Sequence, residues 1–281
     1  MAPTLSRGSR PAKAHTDRAR DWAEIQERML VPLYDRVHDR LGVGPGTRLL
    51  ALDCGTGLAL LLAAVRGAAV TGYDRDPARL RLARERLGVL RTGARTAGPP
   101  YIAEPFTLRP GAPDAAGLRG AGYGVVTALD PAAPAAALRP ALAAVAAAVP
   151  RGSAVVLAGW GPPERCAAAA VLRVAARLAE PGGGGGTGAV PRLSGRDDLE
   201  DLAVEAGLRP DGSGRVACPF GYPDQAAAVR GLLSTGLFDT AAAATDQQQV
   251  EKELAEALHP YRRPDGTIRL DNVFRYLVAR T

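Results

Sequence analysis

Asp53, Asp74, Glu104, Asp130 and Trp160 each stand at or just beyond the end of an apolar run, where a side chain meets a ligand in an open α/β sheet. The first run, Leu49-Leu50-Ala51-Leu52, leads into Asp53-Cys54-Gly55-Thr56-Gly57 and then into the helical pattern Leu58 to Val65. About twenty residues on, Ala68-Ala69-Val70-Thr71-Gly72-Tyr73 ends in Asp74. Gly55 and Gly57 let backbone approach a ligand, and an acid at the second strand tip accepts from both hydroxyls of a ribose. Asp53 and Asp130 are carboxylates placed for acid–base work, Asp53 also for holding an ammonium group. Asp130 precedes Pro131, so a turn-capping role competes with the catalytic one.

Other chemistries lack their residues. His15, His38 and His259 are dispersed, which supports neither a metal site nor a histidine triad. Cys54, Cys166 and Cys218 have neither metal-ligand nor disulfide-framework spacing, which favours a reducing cytoplasm. The net charge of +6 comes from arginine, since Lys13 and Lys252 are the only lysines. It lacks a basic run interleaved with aromatics, so no nucleic-acid partner is expected. The basic segment Ser6 to Lys13 has no apolar core after it, unlike a signal peptide. The apolar run Ala132 to Val149 contains Arg139 and Pro140 and reads as a packed helix, with no membrane partner.

The elements that position these residues alternate. Strands are expected near 47–53, 68–73, 99–103, 122–128 and 152–158, with helices near 57–66, 77–87, 133–148 and 164–179. That alternation predicts a parallel sheet with right-handed crossovers. Asp76-Pro77 marks a helix start, and Arg79, Arg81, Arg84 and Arg86 on that helix read as a solvated face. Residues 1–16 read as a loose arm and 17–45 as a helical cap with a kink or break at Pro32. Residues 46–160 form the core, and 161–281 its C-terminal part with helical cap insertions. In this last part a helix is expected at 197–206, a strand near 214–220, helices near 224–235 and 246–258, and a final strand at 271–279. The glycine-rich stretch 182–188 reads as a surface loop, with a lid as the functional alternative.

On these motifs the chain resembles the class I S-adenosylmethionine (SAM) dependent methyltransferases, in particular the small-molecule enzymes of actinobacterial type. The resemblance extends from Asp17-Arg18-Ala19-Arg20-Asp21-Trp22 through Trp160-Gly161-Pro162-Pro163-Glu164 to Arg262-Arg263-Pro264-Asp265-Gly266 and Phe274-Arg275-Tyr276. It implies a doubly wound, Rossmann-like fold with a mostly parallel seven-stranded sheet and helical cap elements. It implies SAM as cofactor, held by Gly55, Gly57, Asp74, Glu104 and Trp22, and a small-molecule substrate met by Trp160, Tyr222 and Arg262. The activity implied is methyl transfer in bacterial specialised metabolism such as antibiotic biosynthesis.

The family's first motif is acid-x-Gly-x-Gly-x-Gly. Aligned without gaps from Gly44 to Ala64, the acid falls on Ala51 and the first glycine on Asp53. In the other register Asp53 is itself the motif acid, followed by Gly55, Gly57 and Ala59. The ungapped register adds a charged side chain where the cofactor's methionine part presses close. It opens a second reading, a SAM-independent cyclisation, elimination or rearrangement with Asp53 and Asp130 as acid and base. A third, non-enzymatic reading, a partner subunit, predicts an occluded pocket and an exposed apolar patch.

Overall fold

A computed structural model describes residues 10–93, 106–179 and 195–281, with side chains from residue 14 onward and, in the first stretch, up to residue 89. The expected strand at 99–103, Glu104 and the glycine-rich stretch 182–188 lie outside the described residues. The N-terminal region is α1 (Arg10–Asp21), a π turn (Trp22–Gln26), a 3-10 turn (Glu27–Leu30) and α2 (Val31–Arg40). Helix thus begins inside the stretch read as an arm, where Pro11 sits in the first turn and tolerates its missing N–H. Pro32 likewise falls in the first turn of α2, and the break lies before it, in the π and 3-10 turns.

The core alternates as β1 (Arg48–Ala51), α3 (Leu58–Val65), β2 (Ala69–Asp74), α4 (Pro77–Gly93), β3 (Thr107–Pro110), α5 (Ala115–Leu118), β4 (Val125–Ala128), α6 (Ala135–Ala148), β5 (Ala154–Trp160) and α7 (Ala168–Ala179). Among the described residues, the strand that follows β2 is β3 at 107–110. After α8 (Asp198–Glu205) come β6 (Arg209–Ala217), β7 (Phe220–Tyr222), α9 (Gln225–Ser234), α10 (Asp239–Ala244), α11 (Gln247–Leu258), β8 (Ile268–Leu270) and β9 (Val273–Arg280). The final strand expected at 271–279 is present as β9, the strand expected near 214–220 is divided between the end of β6 and the start of β7, and β7 pairs with β8 in a separate ribbon.

The seven-stranded sheet has the order β3-β2-β1-β4-β5-β9-β6. Neighbours from β3 through β5 are parallel, while β9 runs antiparallel to both β5 and β6. The strands β4 and β5 are buried throughout, as strands covered on both faces must be, with Thr127 the one polar side chain between them. The order reverses direction between β1 and β4, which opens a crevice at their carboxyl ends, where ligands of doubly wound sheets bind. One core cluster joins α2, the N-terminal turns, α7 and α9–α11 to β5 and β9, so the cap is continuous with the sheet's own packing.

Candidate functional site

The crevice begins with an irregular turn. β1 ends at Ala51, and the chain then reaches α3 through Asp53, Gly55 and Gly57, which have φ of 47°, 59° and 79°. Asp53 is the one non-glycine residue with positive φ among the described residues. A Cβ on Gly57 would lie 3.0 Å from the Ala83 Cβ of α4, so only glycine lets that helix close on the turn. Leu52 N–H donates to Thr127 O at 2.8 Å, and Cys54 N–H to Tyr73 O at 2.9 Å, fixing the turn to both neighbouring strands.

Asp74 anchors it from the side. One carboxylate oxygen accepts from Gly55 N at 2.7 Å and the other from Asp76 N at 2.8 Å. Burial pushes the Asp74 pKa up to about 6, against the pull of the two amides and Arg79. Asp76 in turn caps α4 by accepting from Ala78 N at 2.8 Å and Arg79 N at 3.2 Å.

The N-terminal turns close the crevice. Trp22, Glu27 and Tyr34 line a cavity of about 20 Å³ with Asp53, Gly55 and Asp130. Glu27 accepts from Thr56 N at 3.2 Å and from the Thr56 hydroxyl, and it pairs with Arg86 at 2.5 Å. Arg86 also donates to Thr56 O at 2.9 Å. A Cβ on Gly55 would meet Glu27 Oε1 at 3.1 Å and Trp22 Nε1 at 3.2 Å, so cap side chains already press on the glycine.

Arg79 holds Asp130. Its Nη1 lies 3.3 Å from Asp130 Oδ2, and its guanidinium stacks 4.6 Å from the Trp22 ring centroid. The other Asp130 oxygen accepts from Ala132 N at 2.9 Å, so the residue also caps its turn. Burial raises the Asp53 pKa, which Arg75 and Arg79 lower and Asp130 raises further. The face read as solvated is therefore divided. Arg79 and Arg86, with Ala83 between them, point inward at helical spacing, while Arg81 and Arg84 are exposed. The sequence signal was that spacing, seven residues around a buried alanine.

Among the described residues, the crevice as it stands has no room for SAM. A cavity of about 20 Å³ has room for a single water, whereas a ligand pocket needs hundreds of Å³. The amide and hydroxyl of Thr56, next to Gly55 in the turn, are bonded to the chain's own Glu27 carboxylate.

Of the residues singled out in the sequence, the crevice gathers Trp22, Asp53, Gly55 and Asp130, with Asp74 reaching it through the Gly55 amide. Gly57 lies two residues on, against α4. Trp160, Tyr222 and Arg262 do not line this cavity. Trp160 packs on Phe274 with centroids 4.6 Å apart and lines a separate groove with Glu164 and Arg275. Tyr222 donates to Gln26 Oε1 at 2.9 Å, and burial pushes its pKa up. Arg262 is exposed beside β8. Among the described residues no group of three or more His, Cys, Asp or Glu has metal-binding geometry, and no helix is long and apolar enough to cross a membrane.

No protein-family model and no curated protein matches the chain. Among solved structures it is similar to YjhP from E. coli, at 18% identity over 93% of this chain and 98% of that one, with a TM-score of 0.50. It is also similar to YcgJ from Bacillus subtilis, at 15% identity over 88% and 97%, with a TM-score of 0.51. A provisionally assigned methyltransferase from Bacillus halodurans C-125 matches at 14% identity over 86% and 96%, with a TM-score of 0.51. At such identities the likeness is one of fold. The chain has the Rossmann-like methyltransferase fold, with a mostly parallel seven-stranded sheet and flanking helices.

Proposed function

We propose that the chain is a methyltransferase-fold enzyme that acts on a small molecule by proton transfer and does not use SAM. The observation that carries this reading is the crevice filled by Trp22 and Glu27, with Asp53 and Asp130 as the acids facing what space remains. Asp53 suits the acid role of the two, because partial burial raises its pKa. Asp130, paired with Arg79, suits the base role. In a cyclisation, elimination or rearrangement Asp130 takes one proton from the substrate. Asp53 returns one to the substrate or its leaving group, and solvent resets both carboxyls. A substrate larger than water enters only after one of the cap side chains lining the cavity, Trp22, Glu27 or Tyr34, gives way. Bacterial specialised metabolism, implied by the family resemblance, and a cytoplasmic location, suggested by the three unpaired cysteines, belong to the same proposal. The filled crevice matches one of the two expectations of the partner-subunit reading, but the exposed apolar patch is not met among the described residues, where Val65, Val89 and Val204 sit on three different helices.

Methyl transfer is the second reading. In its favour stand Gly55 and Gly57 at positive φ and Asp74 at the tip of β2, the parts of a nucleoside-cofactor site that the chain keeps. Calorimetric titration of the folded protein with SAM and S-adenosylhomocysteine, after a check for copurified ligand, separates the two. The proposal expects no binding heat. Micromolar affinity for either compound would overturn it and direct attention to a screen of methyl acceptors.

A further inference from the structure

The contacts of Glu27 are those of a bound ligand. Its carboxylate is 2% exposed and lies on a backbone amide, a hydroxyl and a guanidinium, from Thr56 and Arg86. These donors come from the turn before α3 and from α4, not from the segment that carries Glu27. The amide sits just ahead of the first turn of α3, where the helix end favours an anion. The Trp22 indole N–H is an independent sign of a receptor. It is buried, lacks a hydrogen-bond partner, and lies 3.2 Å from where a Gly55 side chain would begin. The segment that delivers Glu27 departs from regular helix there, as a π turn followed by a 3-10 turn.

We infer that the turn Gly55–Gly57 together with Arg86 is a receptor for small carboxylates and that Glu27 is its intramolecular occupant. A free carboxylate reaches it only by displacing Glu27, and tethering gives Glu27 a high effective concentration. Removing the Glu27 side chain beyond Cβ leaves a space the size of acetate. The inference shares with the proposed function the view of the crevice as self-filled. It stands or falls separately, because its test uses neither SAM nor turnover.

The test is chemical rescue. Thermal unfolding of Glu27→Ala is followed with increasing sodium acetate, against sodium chloride of matched ionic strength. The expected result is a lowered Tm that acetate raises along a saturating curve, with no such rise for chloride or for the wild-type protein. The double variant Glu27→Ala/Arg86→Gln is expected to lose at least tenfold in acetate affinity. If Glu27→Ala does not fold alone, folding that appears only with acetate supports the inference equally. Failure to fold in acetate, or equal responses to acetate and chloride, overturns it. Glu27→Gln, which keeps the stem and loses the charge, is expected to be less stable than wild type and deaf to acetate. Wild-type stability in that variant also overturns the inference.

Discussion

Asp53 holds a left-handed backbone at φ 47°, a region in which an L side chain is crowded and aspartate is only tolerated. In the ungapped alignment that position belongs to a glycine. Its carboxyl is also partly buried, which raises its pKa and adds a cost at neutral pH. Asp53→Gly is therefore expected to raise stability by about 0.5–1 kcal/mol, reduced somewhat by the extra freedom of glycine in the unfolded chain. Asp53→Ala has neither the freedom of glycine nor a polar group for local hydrogen bonding, and should be less stable than Asp53→Gly by about 1 kcal/mol. Urea unfolding at pH 7 measures both, and equal stability would mean that the turn relaxes to negative φ in solution. Residue by residue, the sequence revealed the acids but not their partners. Asp53, Asp74 and Asp130 follow apolar runs, so their place at strand ends is legible from periodicity. Arg79 and Arg86 looked solvated because arginine is so abundant here, and only the packing of α4 on Gly57 turns them inward.

Among the elements, the strands buried on both faces were the most legible, since β5 is free of charged and hydroxyl side chains and β4 is interrupted only by Thr127. The edge was harder. β6, Arg209–Ala217, is polar and glycine-containing and half exposed, so its pattern carries little of the alternation that marks a strand, and pairing with β9 defines it. The N-terminal break was also misplaced, because a proline in a first turn ends nothing. Helix α6 shows the opposite case, with Pro140 inside the helix. Without an N–H it cannot bond back to Ala136 O, and its ring crowds that carbonyl. Leu138, Ala141, Leu142 and Val145 are buried along the same helix, so tertiary packing overrides the local penalty. Pro140 itself is exposed, which leaves room for substitution. Pro140→Ala is expected to stabilise the protein by about 1–3 kcal/mol. A Tm unchanged or lowered in differential scanning calorimetry would show that α6 is bent to suit the proline.

Across the whole molecule, two buried groups in separate places couple folding to pH with opposite signs. His38 on α2 is 1% exposed, its Nδ1 has no hydrogen-bond partner, and its pKa is lowered to about 4. Burial is the main cause, helped by Arg66 and opposed by Asp35 and Asp39. The unfolded chain, with a histidine near 6.5, binds a proton that the folded chain refuses, so this group removes stability as pH falls from about 6.5 to 4. Asp74 behaves in reverse. Its folded pKa of about 6 stands above 3.8, so the folded chain binds the extra proton, and this group adds stability as pH falls from about 6 to 4. Each slope is about 1.4 kcal/mol per pH unit where only one state is protonated. Over pH 4 to 6 the two cancel. Their variants should separate them: relative to wild type, His38→Gln gains stability on acidification and Asp74→Asn loses it, each by about 1–2 kcal/mol across that window. Asp74→Asn is also expected to be weaker at every pH, since an amide cannot accept from both Gly55 N and Asp76 N through its two ends. The shape of the profile, not its height, is the readout. Urea unfolding of the three proteins at half-unit steps gives it, and parallel profiles would mean that neither group is held away from its ordinary protonation by the fold.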